Sequence, residues 1–208
     1  MKGDIFMKIT CNGHSCFTFG ADGFSLVIDP YEDGCVPGLP NLRLSADAVV
    51  CSHDHYDHNF TDAVTLSGRT CPFKLSTVET FHDDTNGSQR GNNLIHIIEY
   101  GGVRVAHLGD LGHTLSQEQI ESLSGLDAIL IPVGGFYTID APTACAVADS
   151  IGAPVVIPMH FRHGARGFDV LSEVSDFLSL RTDVVKAGSS VEITAGMKKQ
   201  TAFIEYGG

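Results

Sequence analysis

Short apolar runs rich in valine and isoleucine recur along the chain, and most of them end at residue types that bind metals or catalyse reactions. Runs of about four to eight such residues predict strands that are buried on at least one face. The runs are 24–28 before Asp29, 46–51 before His53, 103–106 before Asp110, 126–133 before Gly134, and 154–159 before His160. We therefore expect His53, His55, Asp110 and His160 to gather at one edge of the sheets.

Three helices are expected between the strands. Ser116 and Gln119 have the spacing of a capping box, which predicts a helix that begins there. Asp140 precedes an Ala-Pro pair and predicts a second helix that ends near Gly152. An apolar stripe over 168–178 indicates a third, amphipathic helix.

Both ends of the chain have the pattern of antiparallel hairpins. The first covers 8–29 with a turn at 21–23, and the second covers 191–206 with a turn near 196–198. Strands at both ends with helices interleaved between them favour two sheets packed face to face and flanked by helices, a mixed α/β (α+β) sandwich. No linker or shift in composition divides the sequence, so we expect residues 1–208 to form one domain.

Composition narrows the functions that this sandwich can have. The 208 residues are 43% hydrophobic and 18% charged, which is typical of a globular protein. A formal net charge of −12 disfavours nucleic acid and acidic membranes as partners, which leaves a small-molecule substrate. The chain has no apolar leader or membrane span, and its six cysteines have no CxxC spacing. We therefore expect a cytoplasmic protein with reduced thiols, and the composition is compatible with a homo-oligomer.

The segment 53–58 contains three histidines and two aspartates within six residues. His53 and His55 are two residues apart after a predicted strand, so their side chains point the same way and can face one ion. Asp57 and His58 follow and offer a carboxylate and a third imidazole to a second position. This ligand chemistry suits zinc, manganese or iron better than calcium. A solvated polar loop is the simpler alternative, but the density of ligand types argues against it.

The run from Ser52 to His58, Ser-His-Asp-His-Tyr-Asp-His, resembles the HxHxDH signature of the metallo-β-lactamase superfamily. A later histidine, a Gly-Asp turn at Asp110 and a late histidine at His160 follow in the family's order. The resemblance implies a four-layer αββα sandwich with a two-metal site at one edge of the sheets. Gly13-His14-Ser15 and the segment 109–113 are also similar to the ascorbate-6-phosphate-lactonase-like branch of the family.

The resemblance also implies a set of metal ligands. His53, His55 and His82 would hold the first metal, Asp57, His58 and His160 the second, and Asp110 would bridge them. His82 is the least certain member, because the family's usual Gly-His-Thr setting is missing around it. His96, inside an apolar run, and His107, just before the Gly-Asp turn, are the alternatives. Asp29 is expected to orient a ligand rather than to be one.

Further residues are candidates for work on the substrate. Asp57 and His113 are candidate catalytic residues, and His14 is a candidate at the rim of the pocket. Either histidine could instead cap the backbone of a turn.

Three arginines could bind an anionic group of the substrate. Arg162 and Arg166 follow His160 closely, and Arg90 lies in a loop rich in glycine and asparagine. Pairing of these arginines with nearby carboxylates is the alternative in so acidic a protein.

These features predict a metal-dependent hydrolase. Two divalent cations, with zinc as the first choice and manganese or iron as alternatives, lower the pKa of a shared water towards 7. The expected reaction is hydrolysis of a phosphodiester, ester, amide or lactone in a small metabolite that can be anionic. Two other classes stay open: a non-catalytic metal-binding or sensing protein of the same fold, and an iron-dependent oxidoreductase such as a sulfur dioxygenase.

Overall fold

The structure is a computed structural model that describes residues 6–206. Its strands are β1 Met7–Gly13, β2 Cys16–Ala21, β3 Phe24–Ile28, β4 Leu44–Ala46, β5 Ala48–Val50, β6 Val64–Leu66, β7 Lys74–Phe81, β8 Asn92–Tyr100, β9 Val103–His107, β10 Ala128–Pro132, β11 Val155–Met159, β12 Val184–Lys186, β13 Ser190–Ile193 and β14 Gln200–Phe203. The helices are a 3-10 helix Thr61–Ala63, α1 Gln117–Ser122, α2 Ala141–Ile151 and α3 Val174–Leu178. Residues 1–5, on which the expected lack of a leader partly depends, lie outside the described residues.

The first sheet has the strand order β13-β1-β2-β3-β5. Strands β1, β2 and β3 form an antiparallel meander, and β3 pairs with β5 in parallel. Asp22 and Gly23 join β2 to β3 with φ of 49° and 76°, which is the left-handed backbone of a tight hairpin turn. The predicted turn is therefore confirmed. A second turn at His14, with φ of 54°, makes this end a three-stranded meander rather than one hairpin.

The second sheet has the strand order β12-β14-β11-β10-β9-β8-β7. Strands β9, β10 and β11 run parallel to one another, and every residue of β10 and β11 is buried, as expected for strands covered on both faces. Strand β7 also runs in their direction, because β8 is antiparallel to both β7 and β9. The carboxyl ends of β7, β9, β10 and β11 therefore lie at the same edge of the sheet.

Apolar side chains fill the space between the two sheets and cover their outer faces. Phe17, Phe19 and Leu26 of the first sheet belong to one cluster with Leu130 and Ile157 of the second. The other face of the second sheet packs against the buried side of α2 and the residues around α1. Loop residues and the 3-10 helix cover the outer face of the first sheet. The mixed α/β sandwich is thus confirmed, with helices concentrated on one side.

The helix signals are confirmed where local chemistry determines the end of the helix. Ser116 Oγ accepts from the Gln119 backbone N–H, and the Gln119 side chain accepts from the Ser116 N–H, so the capping box is complete. Asp140 caps α2 by accepting from Thr143, and Gly152 ends the helix with φ of 73°. The third helix spans only Val174–Leu178, within the stripe predicted over 168–178.

Two predictions about strands were wrong. The segment 191–206 is not a hairpin: β13 pairs with β1 in the first sheet, and β14 lies between β11 and β12 in the second. The predicted strand 46–51 is interrupted at Asp47, whose carboxylate accepts from the Ser25 N–H. This interruption allows β4 to pair with β6 in a separate two-stranded sheet.

The described residues contain neither a helix that could cross a membrane nor a disulfide bond. No helix within residues 6–206 has the length and apolar character that crossing a bilayer requires. All six cysteines lie within this range and are free thiols.

Candidate metal centre

The ends of four strands bring the candidate ligands to one edge of the sandwich. His53 and His55 follow β5, His82 follows β7, Asp110 follows β9, and His160 follows β11. This arrangement is the one expected from the apolar runs in the sequence. The strand ends therefore fix where each ligand-bearing segment begins, and Asp57 and His58 lie in the turn that follows His55.

The structure brings the metal-ligand candidates into overlapping groups whose ligand atoms lie within 4.8 Å of one another. We call His53, His55 and His82 the first group. Asp57, His58 and His160 form the second group, which His14 also joins, and Asp110 contacts both. His82, the least certain ligand from sequence, thus lies with His53 and His55. His96 and His107 are not members of these groups: their Nε2 atoms lie 2.9 Å from the carbonyls of Cys51 and Ser15.

Asp110 lies between the two groups. Its Oδ2 is 3.2 Å from His82 Nε2, 3.2 Å from His58 Nε2, 3.1 Å from His160 Nε2 and 4.0 Å from His53 Nε2. The carboxylate is buried, and its Oδ1 has no hydrogen-bond partner among the described residues. His53 Nε2, His58 Nε2 and His160 Nε2 are buried and unpartnered in the same way. Unpartnered buried polar atoms are costly unless something binds them, and divalent cations fit this set of nitrogen and oxygen donors.

Asp29 determines which ring nitrogen of two ligands faces the centre. Its carboxylate accepts from the Ser52 N–H at 2.6 Å and from the Ser52 hydroxyl at 2.7 Å, and it lies 3.0 Å from His58 Nδ1. His58 Nδ1 therefore carries the proton that it donates to Asp29. The Ser52 hydroxyl donates its one hydrogen bond to Asp29, so it accepts a hydrogen bond from His53 Nδ1, 2.9 Å away. Both rings thus direct Nε2 at the centre, where a bound cation would take the place of any proton on that atom.

The acid–base properties of the cluster depend on its buried carboxylates. Burial lowers the pKa of His58, but Asp110 and Asp29 outweigh it and raise this pKa well above its usual value, so a cation bound at Nε2 would replace a proton. Burial raises the pKa of Asp29, but the hydrogen bond and charge of His58 outweigh it and bring the pKa to about 2. Burial is also the main reason that the pKa of His53 falls to about 3, which leaves its imidazole neutral at pH 7. Burial raises the pKa of Asp110, whereas His160 and His58 lower it well below its usual value. Asp110 is therefore an anion that needs positive charge beside it.

Gly109 and Asn93 hold the Asp110 backbone in place. Gly109 has a φ of 57°, and a Cβ there would collide with Asn93 Oδ1 and Ser52. Asn93 Oδ1 accepts from the Asp110 N–H at 2.9 Å, and its amide group donates to the Leu108 carbonyl at 3.0 Å. The sequence analysis missed Asn93, because one asparagine at the start of a strand carries no signal of its own.

The other predicted site residues differ in where they lie. His14 Nε2 is 3.4 Å from Asp57 Oδ2, and the His14 ring lies 4.2 Å from the His160 ring. His113, by contrast, is bound to the backbone: its Nε2 accepts from the Phe81 N–H at 3.1 Å, and its Nδ1 donates to the Thr114 carbonyl at 2.7 Å. The structure does not bring His113 into either group, so its catalytic role stays a prediction without a supporting contact.

Arg162 and Arg166 are bound locally rather than at the centre. Arg162 Nη1 pairs with Glu173 Oε1 at 3.4 Å, and its Nε donates to the Leu171 carbonyl. The Arg166 guanidinium lies 5.3 Å from the centre of the Tyr206 ring. A substrate-binding role for these two residues stays a prediction. The arginine that lines the cleft over the ligands is Arg90.

The cleft above the centre has a volume of about 210 Å³. Its lining contains four of the ligand candidates together with aromatic side chains and one arginine: His55, Asp57, His82, Asp110, Tyr56, Tyr137, Phe168 and Arg90. The centre is therefore accessible to a small molecule on the side that faces this cleft.

Comparison with known proteins agrees with this fold. The family description "Beta-lactamase superfamily domain" matches residues 8–160. A UPF0173 metal-dependent hydrolase of Thermoplasma volcanium is 28% identical in an alignment 203 positions long. The alignment covers 79% of this chain and 86% of that protein. A crystal structure from Thermotoga maritima, of a candidate Zn-dependent hydrolase of the metallo-β-lactamase superfamily, is 34% identical with a TM-score of 0.75, and covers 95% of this chain and 98% of that one.

The family follows from these matches. The fold and the ligand cluster define the class, a mixed α/β sandwich with a candidate metal centre at one edge of its sheets. The chain belongs to the beta-lactamase superfamily, because the family match spans most of its length. A metallo hydrolase from Ignicoccus hospitalis, 22% identical with a TM-score of 0.64 over 84% of this chain and 90% of that one, shares the fold.

Proposed function

We propose that this protein is a hydrolase that holds two divalent cations, one in each ligand group, with Asp110 as the ligand common to both. One observation carries the proposal: the buried Asp110 Oδ2 lies 3.1 to 3.2 Å from ligand nitrogens of both groups. The similar proteins of Thermoplasma volcanium and Methanosphaerula palustris are named metal-dependent hydrolases, which supports this class. Zinc is the first choice, with manganese or iron as alternatives.

The bound cations would supply a water that is ionised near neutral pH and an electrophile for the oxygen of the substrate. The residues of the chain prepare the site for this chemistry. Asp29 and Ser52 fix the His58 and His53 rings, and Asp57 lines the cleft where it would orient the attacking water. His14 would hold the Asp57 carboxylate through its Nε2, 3.4 Å away.

Hydrolysis of a phosphodiester, ester or lactone in a small metabolite fits this site best. No serine or cysteine nucleophile is needed, and burial raises the pKa of the nearby Cys51 thiol to about 12, which makes it a poor nucleophile. The net charge of −12 argues against a polyanionic substrate.

The test is metal analysis combined with a substrate screen. The protein is purified without added metal, reconstituted with zinc, manganese or iron, and assayed with 4-nitrophenyl acetate, an aliphatic lactone and bis(4-nitrophenyl) phosphate. We expect metal-dependent turnover of at least one of these esters. Metal binding without turnover of any of them would favour a sensing protein, and oxygen consumption by the iron form alone would favour an oxidoreductase.

A further inference from the structure

Beyond the metal ligands, the cleft presents groups that bear on the choice of substrate. Tyr56, Arg90, Tyr137 and Phe168 line it together with the ligand candidates. The ligands are needed for any hydrolase of this design, whereas these four side chains are free to distinguish one substrate from another. The following inference therefore rests on the proposed function and concerns the class of substrate.

Arg90 differs from most arginines of this acidic chain. Five arginines lie within 4.0 Å of a carboxylate, in the pairs Arg43–Asp33, Arg69–Asp47, Arg104–Glu99, Arg162–Glu173 and Arg181–Asp149. Arg90 forms no such pair with any carboxylate of residues 6–206. Its Nη2 donates to the Phe136 carbonyl at 3.3 Å, and the remaining donors of its planar fork are available to a ligand. An unpaired guanidinium in the cleft suits an anionic substrate group.

The loop that carries Arg90 is held by a carboxylate next to a metal ligand. Asp83 follows His82 and accepts from the backbone N–H groups of Gly87, Gln89 and Arg90 at 2.8 to 3.0 Å. It also accepts from the backbone and the hydroxyl of Thr85. These hydrogen bonds hold the short loop that connects the Arg90 guanidinium to the strand end that supplies His82. This connection gives Arg90 a fixed position relative to the reacting centre.

Aromatic rings are exposed beside Arg90. Tyr56 is 55% exposed although it lies within the ligand run, and Phe136 is 64% exposed with a φ of 57°. A phenylalanine in the left-handed region is strained, and such strain concentrates at ligand sites. The Phe136 and Tyr137 rings are 4.8 Å apart, and the Arg90 guanidinium lies 5.7 Å from the centre of the Tyr137 ring. Exposed rings beside a cation offer a stacking surface to a planar group.

We propose that the cleft selects phosphodiesters that carry a planar aromatic group, such as a nucleoside or aryl substituent. Arg90 binds a non-bridging phosphate oxygen, and Tyr56 and Tyr137 contact the ring. In the reaction, the oxygen of a water forms a bond to phosphorus and the bond from phosphorus to one ester oxygen breaks. One water proton goes to the departing alkoxide, so the products are a phosphomonoester and an alcohol.

Binding of two phosphonates that cannot be hydrolysed tests the proposal. Phenylphosphonate and methylphosphonate share the anion and differ in the ring. Calorimetry on metal-reconstituted protein is expected to show roughly 10-fold tighter binding of phenylphosphonate, the effect of one stacked ring. Arg90→Ala is expected to weaken both ligands roughly 10- to 100-fold, as loss of a charge-assisted contact does. The affinity of Arg90→Lys for both phosphonates should lie between the affinities of Arg90→Ala and the unchanged protein.

Two matched variants separate the anion from the ring. Arg43→Ala removes an exposed arginine that pairs with Asp33 outside the cleft, and it should change neither affinity. Tyr137→Leu should reduce the preference for phenylphosphonate and leave methylphosphonate binding within about twofold. Equal affinity of the two phosphonates, or an Arg90→Ala protein that binds both as tightly as Arg43→Ala, would overturn the proposal.

Activity assays separate failure of this inference from failure of the proposed function. We expect Arg90→Ala to lower kcat/KM for bis(4-nitrophenyl) phosphate by a larger factor than kcat/KM for the neutral 4-nitrophenyl acetate, and Arg43→Ala, outside the cleft, to leave both unchanged. Metal-dependent turnover of the acetate or a lactone with no turnover of the phosphodiester overturns the substrate class and leaves the hydrolase standing. No metal-dependent turnover of any ester overturns both.

Discussion

The two ligand groups share Asp110 but differ in how they are enclosed. In the second group His58 and His160 are fully buried, and the His58 ring is bound to Asp29 at 3.0 Å. In the first group His55 is half-buried and faces the cleft. Under the proposed two-cation arrangement, the second position would therefore be the more enclosed one, and the first would be the more open to solvent and substrate.

This difference follows from the elements that supply the ligands. The second group is formed around the buried carboxylate of Asp29, which also holds Ser52 through two hydrogen bonds. The first group includes His82, which lies at the start of the exposed loop that carries Arg90. We therefore expect the second position to bind its cation more tightly, because it is more deeply buried and Asp29 contacts His58 directly.

Asp110→Asn should have the largest effect, because it removes the charge that both positions share. We expect activity to fall by more than about 100-fold, since a direct ligand matters more than the outer partners worth 10- to 100-fold. Metal content should fall at both positions. The measurement is turnover with elemental analysis on folded protein, and an Asp110→Asn protein that keeps its metal and activity would contradict a bridging role.

Asp29→Asn should have the next largest effect, most directly on the second position through His58 and indirectly on the first through Ser52 and His53. The amide cannot accept from both Ser52 and His58 as the carboxylate does, so metal affinity should fall roughly 10- to 100-fold. Asp47→Asn is the matched control: Asp47 is also buried and bonded to a backbone N–H, but its partners are Ser25 and Arg69. Equal metal affinities of the two variants would show that Asp29 does not orient ligands.

His55→Ala should affect only one position. It removes the half-buried ligand of the first group and leaves Asp57, His58 and His160 in place. We expect about one cation per chain to survive dialysis, because the buried second position stays intact. Elemental analysis checks this result. Loss of both cations would show that the two positions are not separable.

Of these substitutions, Gly109→Ala should have the smallest effect on metal binding, because it acts through the backbone beside Asp110. Gly109 and Gly152 have φ of 57° and 73°, but a Cβ collides with Asn93 and Ser52 at the first and meets nothing within 4 Å at the second. We expect Gly109→Ala to destabilise the protein by about 1–2 kcal/mol more than Gly152→Ala in urea unfolding. Equal unfolding free energies would mean that Asp110 is not held by this close approach.

The sequence predicted most of the strands that carry the candidate ligands, because strands depend on local patterns. The apolar runs before Asp110 and His160 became β9 and β11, the run before His53 became β5 after the interruption at Asp47, and a candidate ligand follows each of these strands. Which strands pair with one another within a sheet was not predictable from local patterns. The turn signal near 196–198 is real as a local feature, yet β13 and β14 join different sheets, because pairing depends on the rest of the core.

The arginines also show that nearness in sequence does not predict which side chains reach the cleft. Arg162 and Arg166 are near His160 in sequence, but Glu173 and Tyr206 bind them locally. Arg90 is eight residues from His82 in sequence, and it reaches the cleft because Asp83 folds the intervening loop. Asn93, which positions Asp110 from a different strand, gave no signal that a pattern could detect.

A calorimetric titration of zinc into metal-free protein tests the central claim most directly. We expect two cations per chain to bind in two steps, with the tighter step lost or weakened in Asp29→Asn and the weaker step lost in His55→Ala. A single step with one cation per chain, or no binding at all, would contradict a shared two-metal centre at Asp110.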